Sequence, residues 1–333
     1  MRKQATFGVA LVLATLTVPV AAQTAPRYSS ITVFGDSLVD AGNIRALGFG
    51  ADPAQGYFEG RFTNGYDYTD LLSISLYGTP TVASLRGGTN FAFGGARATT
   101  TSGVPDLVEQ LGLFNTSLAA GKTVDSKGLY VLNFGGNDVF AAQADGVPTG
   151  YASDSAFLQD AATTYANGIQ TLNNLGVRNF LITGFPVATG AGLPLSIEAD
   201  GYLTTALGNL KLAGDTMLFR FSYLDFFGRL SADPTAFGLP ADLIQPDPRR
   251  ADKGTCQGAM AFPNCTGYFS FDGIHPTAAV QRAAFNDMNR QFNLTGAVPE
   301  PATWAMMILG MSAIGFAARR RRRADVRTTV RFA

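Results

Sequence analysis

The chain has 333 residues, and its 25 lysines and arginines balance 25 aspartates and glutamates, so the formal net charge is zero. This balance argues against nucleic acid as a partner, because binding to phosphates requires a basic surface. Both ends differ in composition from the middle, and about 270 residues remain between them, a suitable length for one large α/β domain.

Residues 1–22 have the composition of a secretory signal peptide. Arg2 and Lys3 precede an apolar run over 7–18, and the small residues at 20–22 form a cleavage site. The alternative is a buried N-terminal helix. It is disfavoured because a core helix rarely follows basic residues and ends in a cleavage-like triplet. We therefore predict an exported protein.

Between residues 28 and 295, short apolar runs alternate with longer helix-like stretches, as a parallel sheet covered on both faces requires. Three β-branched and apolar runs are predicted strands: 30–34, 129–134 and 179–183. Each run ends at or next to a glycine that is followed by polar residues. These polar residues are expected at the carboxyl edge of the sheet, where ligands bind in open α/β sheets.

Helical spacing predicts two long helices in the same region. One covers 153–175, with Ser153 and Asp154 as candidate caps and Gly176 as its stop. The other covers 276–292, with a proline in its first turn. The run 188–194 is rich in glycine and is predicted to be a loop.

The first predicted strand leads into Gly35-Asp36-Ser37-Leu38, which places Ser37 on a tight turn at the sheet edge. A serine hydroxyl becomes an effective nucleophile only when a base removes its proton. The alternative role for Ser37 is a helix N-cap, which is favoured for a serine after a strand. Asp36 and Asp138 are assigned to turn or cap hydrogen bonds.

The only histidine of the chain, His275, lies three residues after Asp272 in Asp272-Gly273-Ile274-His275. An imidazole is the only side chain that titrates near neutral pH without perturbation, so His275 is the only candidate general base of this kind. With this spacing the carboxylate can hold the ring through one nitrogen while the other nitrogen faces a nucleophile.

Two further segments offer hydrogen-bond donors. In Asn90-Phe91-Ala92-Phe93-Gly94-Gly95-Ala96, the glycine N–H groups can approach a ligand without an intervening Cβ. In Asn133-Phe134-Gly135-Gly136-Asn137-Asp138, the amide of Asn137 can donate to a developing oxyanion. Taken alone, each segment is equally well explained as a turn.

In this order, the four segments resemble those of the GDSL family of lipases and esterases, also called SGNH hydrolases, over residues 29–294. A fifth segment, Gly60-Arg61-Phe62-Thr63-Asn64-Gly65, is similar to the Gly-Arg-Phe-Ser-Asn-Gly stretch common in the plant-like branch. The resemblance implies a three-layer α/β/α, flavodoxin-like fold with a central parallel sheet. It implies no cofactor and no metal.

The resemblance also implies a role for each site residue. Ser37 matches the nucleophile, and its N–H contributes to the oxyanion hole. Gly95 matches the second donor of that hole, although the neighbouring glycine offers an alternative register. Asn137 matches the third donor. Asp272 and His275 match the Asp-x-x-His pair.

The implied activity is hydrolysis of a small-molecule or lipid ester by a carboxylesterase or lipase. The same residues also suit a phospholipase, a carbohydrate O-acetylesterase or an acyltransferase. A non-catalytic surface or matrix protein that uses the fold as a module is the alternative from a different class. Five aromatic residues near the motifs line either an acyl groove or the core: Tyr57, Phe58, Phe62, Phe91 and Phe93.

The only two cysteines, Cys256 and Cys265, flank a short loop containing glycine, proline and asparagine. In an exported protein such a pair predicts a small disulfide loop. A metal site is disfavoured, because it would have only two thiols and a histidine that is already assigned elsewhere.

Residues 298–323 form a second distinct end segment. Pro299-Glu300-Pro301 precedes an apolar stretch over 302–318, and five arginines follow at 319–323. At ~1.5 Å per residue the apolar stretch is ~25 Å long, slightly shorter than the ~30 Å hydrocarbon layer. The arginines predict that the last residues, 324–333, form a cytoplasmic tail.

This tripartite tail resembles the PEP-CTERM sorting signal of Gram-negative bacteria. The resemblance implies transient anchoring in the inner membrane, cleavage by an exosortase and delivery to the cell surface or extracellular matrix. The alternative is a permanent single-pass anchor.

Overall fold

The computed structural model of the chain describes residues 27–99, 102–144, 146–186, 190, 192–246 and 254–296. Three predicted segments lie outside the described residues: the signal peptide 1–22, the sorting segment 298–323 with its apolar stretch 302–318, and the tail 324–333. Within the described ranges, no helix is long and apolar enough to cross a membrane.

Strands and helices alternate along the described chain. The strands are β1 (Ile31–Gly35), β2 (Leu129–Asn133), β3 (Asn179–Thr183) and β4 (Met217–Phe221). The helices are α1 (Asn43–Ala46), α2 (Tyr68–Tyr77), α3 (Leu107–Ala119), α4 (Gly136–Gln143), α5 (Asp154–Asn174), α6 (Gly192–Gly208), α7 (Tyr223–Ala232) and α8 (Ala278–Phe292). Short 3₁₀ turns cover Pro53–Gln55, Ser84–Arg86 and Pro234–Phe237.

The four strands form one parallel sheet in the order β1-β2-β3-β4. An extended segment continues the sheet along the free edge of β1, because the N–H groups of Phe91 and Phe93 donate to the carbonyls of Val33 and Gly35 at 2.7 and 3.0 Å. The last residue of β1 pairs with the last residue of β2. The segments that follow these strands therefore start side by side at the carboxyl edge of the sheet.

Helices cover both faces of this sheet. Successive strand side chains point to opposite faces, so Phe34 and Leu132 pack into a core shared with α3, α4, α5 and α6. Val33 and Val131 pack into a second core shared with α2, α7 and α8. All four side chains are buried. The predicted three-layer α/β/α architecture with a central parallel sheet is confirmed.

The regular elements with strong local patterns agree with their predictions. The three predicted strands match β1, β2 and β3 to within one residue at each end. Helix α5 begins after Ser153, whose hydroxyl accepts a hydrogen bond from the N–H of Ala156 at 3.1 Å. It ends before Gly176, whose φ of +107° is accessible mainly to glycine.

The loop predicted over 188–194 is wrong for its last three residues, which begin α6 at Gly192. Residues 188, 189 and 191 of this run lie outside the described residues. Pro194 is the third residue of this helix. A proline is tolerated there because the first N–H groups of a helix have no partner within the helix. The high glycine content of residues 188–194 favoured a loop, so the start of a helix within this run was not predicted.

The helix predicted from 276 begins two residues later, at Ala278, so the proline precedes the helix. The side-chain oxygen of Asn64 accepts a hydrogen bond from the N–H of Ala278 at 2.8 Å and so caps this helix start. The hydroxyl of Thr63 donates to the carbonyl of Pro276 at 2.8 Å. Residues far away in the sequence thus determine where α8 begins.

A buried ion pair anchors the segment that carries Thr63 and Asn64. The guanidinium of Arg61 binds both carboxylate oxygens of Asp70 in α2, with N–O distances of 2.9 and 3.0 Å. The two side chains are 6% and 0% exposed, and the same guanidinium donates to the carbonyl of Thr81. This pair therefore attaches the loop between α1 and α2 to the domain.

We predict that Arg61→Met lowers the free energy of unfolding by about 3–5 kcal/mol, because it leaves the buried Asp70 carboxylate without its partner. Arg45→Met is the matched control, since Arg45 pairs with Asp52 at 3.8 Å with both side chains at least 40% exposed. The control should cost at most about 1 kcal/mol. Urea unfolding measures both values, and equal costs would contradict the anchoring role.

Candidate active site

The carboxyl edge of the sheet holds a continuous chain of hydrogen bonds between three side chains. The Nε2 atom of His275 lies 2.7 Å from the hydroxyl oxygen of Ser37. The Nδ1 atom of the same ring lies 2.6 Å from Oδ2 of Asp272. The structure thus brings together the three residues that the sequence predicts as nucleophile, general base and orienting acid.

Ser37 is presented by a tight turn at the end of β1. A Cβ on Gly35 would lie 2.5 Å from the Cγ2 of Val39 and 2.7 Å from the carbonyl oxygen of Asn133, so the close approach requires glycine. The Asp36 carboxylate accepts a hydrogen bond from the N–H of Leu38 at 2.9 Å. No described helix starts at Ser37, so the alternative role as a helix N-cap is not observed.

A buried polar network lies beneath this turn. The amide of Asn133 donates to Asp36 at 3.3 Å, and the hydroxyls of Tyr68 and Tyr223 donate to the amide oxygen of Asn133 at 3.2 and 3.4 Å. Burial raises the pKa of Asp36 to about 7, although hydrogen bonds and the nearby His275 oppose the shift.

Asp138 also has a structural role, as predicted for both aspartates. Its carboxylate accepts hydrogen bonds from the backbone N–H groups of Ala98 and Thr99 at 2.9 and 3.1 Å, and from the hydroxyl of Thr99 at 2.8 Å. These bonds hold the segment after the double glycine against α4.

The double glycine lies beside the serine turn, because the extended segment that precedes it runs along β1. The N–H of Gly94 donates to Asp40 at 2.9 Å, whereas the N–H of Gly95 has no acceptor among the described residues. Gly95 is also exposed, while the residues on both sides of it are buried. Of the two glycines, Gly95 has the N–H that is free to bind a ligand.

Two further donors lie at the same edge. One N–H of the Asn137 amide donates to the carbonyl of Ala96 at 2.8 Å, which leaves its second N–H for another acceptor. The backbone N–H of Ser37 has no acceptor among the described residues. Both residues are half-buried between buried neighbours.

The electrostatics of the hydrogen-bonded chain favour an ionised carboxylate. Oδ1 of Asp272 accepts the backbone N–H groups of Ile274 and His275 at 3.0 and 2.8 Å. Burial alone would raise the pKa of Asp272, but the hydrogen bonds and charge of His275 outweigh it and lower that pKa to about 2.

The aromatic residues near the motifs divide into two groups. Phe91 and Phe93 are buried in the core and are not exposed to a groove. Phe62 lies against the imidazole, with 5.1 Å between the centres of the rings. A Cβ on Gly94 would lie 2.5 Å from the Phe62 ring, so this glycine makes room for it. Tyr57 donates a hydrogen bond to Asp272 at 2.9 Å.

A disulfide joins Cys256 and Cys265 next to the Asp272–His275 loop. Both cysteines pack against the buried ring of Phe271, the residue before Asp272. Within the described ranges, no three His, Cys, Asp or Glu side chains are grouped so that they could hold a metal ion.

Two positions that orient the site were missed at the sequence level. The Asp40 carboxylate accepts the N–H groups of Gly42, Asn43, Ile44 and Gly94 at 2.6–3.2 Å, which ties the serine turn to the double glycine. The amide of Asn43 donates to the carbonyls of Asn90 and Ala92. The sequence contains one indication of the role of Asp40, which lies two residues before a glycine. An aspartate side chain often accepts a hydrogen bond from the backbone N–H two positions later in the chain.

Comparisons with known proteins identify the family of the chain. Residues 31–288 match the GDSL-like lipase/acylhydrolase family. The chain belongs to this family. As a family member it is a hydrolase that acts on esters.

Residues 297–322 match the PEP-CTERM protein-sorting motif, which directs export and sorting to the cell surface and implies processing by an exosortase.

Two plant relatives of this GDSL hydrolase extend over most of its length. An acetylajmalan esterase of Rauvolfia serpentina is 27% identical, and the match covers 77% of this chain and 88% of the relative. A GDSL esterase/lipase of Arabidopsis thaliana is 26% identical, and the match covers 77% of this chain and 83% of the relative.

Among solved structures, an alpha/beta hydrolase enzyme from the metagenome of Lake Arreo, Spain, is similar to this GDSL hydrolase with a TM-score of 0.43. It is 12% identical, and the match covers 80% of this chain and 95% of that chain. At this level of similarity it adds nothing to the sheet and helices described above.

The raised pKa of Asp36 predicts that this residue makes stability fall with rising pH. Its pKa is about 7 in the folded chain and 3.8 for the free side chain, so the folded state binds more protons between these values. The contribution of Asp36 to the free energy of unfolding is fully present below about pH 4 and is lost as the pH rises through about 7.

Asp36→Asn should therefore lose less stability than the wild type between pH 5 and pH 8, with a difference on the order of 1–3 kcal/mol. Asp215→Asn is the control, because Asp215 is 74% exposed. Urea unfolding at both pH values measures the difference. An Asp36→Asn profile parallel to the wild type would contradict the prediction.

Proposed function

We propose that this family member is a carboxylesterase or lipase in which Ser37 is the nucleophile, His275 the general base and Asp272 the residue that orients the imidazole. The observation that carries the proposal is the continuous hydrogen-bonded chain from the Ser37 hydroxyl through the ring to the carboxylate. Nucleophile, base and orienting acid within hydrogen-bond reach are the signature of an activated serine.

In the proposed reaction, His275 accepts the hydroxyl proton as the oxygen of Ser37 attacks the ester carbonyl. The tetrahedral intermediate collapses when the imidazolium protonates the leaving alcohol. Water then enters, and the same ring removes a proton from it as the water oxygen attacks the acyl-enzyme. This second intermediate collapses when the imidazolium returns the proton to the Ser37 oxygen, which releases the acid and restores the free serine. Asp272 stays ionised throughout, because its lowered pKa of about 2 is far from neutral pH.

The oxyanion of the intermediate is proposed to bind three N–H donors at the sheet edge: the backbone of Ser37, the backbone of Gly95 and the side chain of Asn137. Support comes from the two backbone N–H groups that lack a described acceptor and from the spare amide proton of Asn137. One donor of this kind contributes about 10²–10³ to turnover.

The proposed substrate is a simple ester with an apolar acyl or alcohol group. The ring of Phe62 next to the imidazole supports this choice, because it forms an apolar surface beside the reacting atoms. Ile274, one residue before His275, is 63% exposed and is proposed to extend that surface. Lipid esters are included in the proposal.

Beyond the sorting motif, we propose a defined route to the cell surface. Residues 1–22 would direct export, and 302–318 would anchor the chain transiently in the inner membrane with 324–333 in the cytoplasm. Exosortase processing near Pro299-Glu300-Pro301 would then release the hydrolase domain, proposed as 28–295. The PEP-CTERM match over 297–322 supports this route.

We predict that the purified full chain hydrolyses p-nitrophenyl esters and that Ser37→Ala lowers kcat by about 10⁴-fold or more, because no other group can form the acyl-enzyme. Ser117→Ala is the matched control on the surface helix α3 and should keep wild-type activity. Assays from acetate to long-chain acyl groups would separate an esterase from a lipase. Wild-type activity in Ser37→Ala would contradict the proposal.

A further inference from the structure

The hydroxyl of Tyr57 adds a fourth member to the hydrogen-bonded chain. It donates to Oδ2 of Asp272 at 2.9 Å, and this is the same oxygen that binds Nδ1 of His275 at 2.6 Å. The other oxygen, Oδ1, accepts two backbone N–H groups, from Ile274 and His275. Each carboxylate oxygen of Asp272 therefore accepts two hydrogen bonds. One of the four donors, the Tyr57 hydroxyl, belongs to a residue 215 positions away along the chain.

Packing holds the Tyr57 ring in this position. Its edge meets the ring of Phe271 with 4.8 Å between the ring centres, and Phe271 is buried against the disulfide. The residue before Tyr57 is Gly56, with φ of +89°, and a Cβ there would lie 2.5 Å from the ring of Phe262. The hydroxyl is thus placed by a packed cluster on a backbone that needs glycine.

Tyr57 remains a hydrogen-bond donor over the pH range in which an imidazole works as a base. Burial, and next the negative charge of Asp272, raise the pKa of the Tyr57 hydroxyl well above its ordinary value. The proton therefore stays on the oxygen, and the bond to the carboxylate is present in both protonation states of the imidazole.

We propose that Tyr57 is a positioning residue of the ester-hydrolysis site, which acts on His275 through Asp272. The proposal rests on the proposed function, in which the imidazole is the general base. A hydrogen bond to the carboxylate stabilises its anion and reduces the charge that attracts the proton of the imidazolium. Tyr57 thereby keeps the base in its unprotonated form at lower pH and fixes the orientation of the ring.

The groups around the imidazole allow this effect to be traced to one hydroxyl. The acidic groups that act on the ring are Asp272, through direct contact, and Asp36, through its charge. The charge of Asp36 changes near its pKa of about 7 in wild type and variant alike, so the comparison between the two isolates the hydroxyl. Phe62 lies against the ring at a tilt and has no charge. Tyr57→Phe removes only the hydroxyl, keeps the packed ring and leaves the other groups in place.

The first test is the pH profile of kcat/KM for Tyr57→Phe in the full chain. We expect the acidic half-point of the profile to move upward by about 0.5 to 1 pH unit relative to wild type. Tyr151→Phe is the matched control, because its hydroxyl also donates to a carboxylate, that of Asp160 at 2.6 Å, in an exposed pair. The control profile should coincide with wild type.

A half-point for Tyr57→Phe that coincides with wild type would overturn the proposal, even if the rate falls, because a purely structural role lowers the rate without moving the profile. Gly56→Ala is a second variant that keeps the hydroxyl but displaces it through the contact with Phe262. It should move the half-point in the same direction, and an unchanged profile would again contradict the proposal.

A second measurement does not depend on catalysis. Because the chain has one histidine, NMR of a ¹³C-labelled imidazole reports His275 alone. In a Ser37→Ala background, Tyr57→Phe should move the titration midpoint of this signal upward, and an unchanged midpoint would overturn the proposal. If the shift occurs but wild type hydrolyses no ester, the positioning effect stands and the proposed function fails.

Discussion

The hydrogen bond between the Ser37 hydroxyl and the His275 ring joins residues that are 238 positions apart, and the rest of the site is organised to keep this contact. On the serine side, the end of β1 is held by the neighbouring strand and by the extended segment along its free edge. On the histidine side, a loop held by Asp272, a disulfide and an aromatic cluster presents the ring. Neither side alone would fix a distance of 2.7 Å.

The segment Gly60-Arg61-Phe62-Thr63-Asn64-Gly65 connects the two sides. Its arginine anchors it to α2, and its threonine and asparagine bind the backbone at the start of α8. Its phenylalanine packs against the imidazole. A motif that could be recognised only by its resemblance to a family thus has a physical role: Arg61 anchors the segment, and Thr63 and Asn64 bind the backbone directly after the histidine that is the proposed base.

Local patterns were sufficient for β1, β2, β3 and α5, because apolar runs ending in glycine and a serine cap act within a few residues, whereas β4 was not predicted. Two cysteines allow a single pairing. The start of α8 could not be predicted, since its cap is an asparagine 214 positions away. The contact between Tyr57 and Asp272 could not be predicted either, although Tyr57 is one of the aromatic residues near the motifs. Such contacts depend on tertiary packing, which composition and spacing do not encode.

The most direct test of the account is covalent trapping of the nucleophile. A fluorophosphonate reacts only with a serine that a neighbouring base activates. After treatment of the wild-type chain with this reagent, peptide mass spectrometry should find one modification, on Ser37, and His275→Ala should react far more slowly. Modification of a different serine, or ester hydrolysis that continues with Ser37 unmodified, would contradict the account.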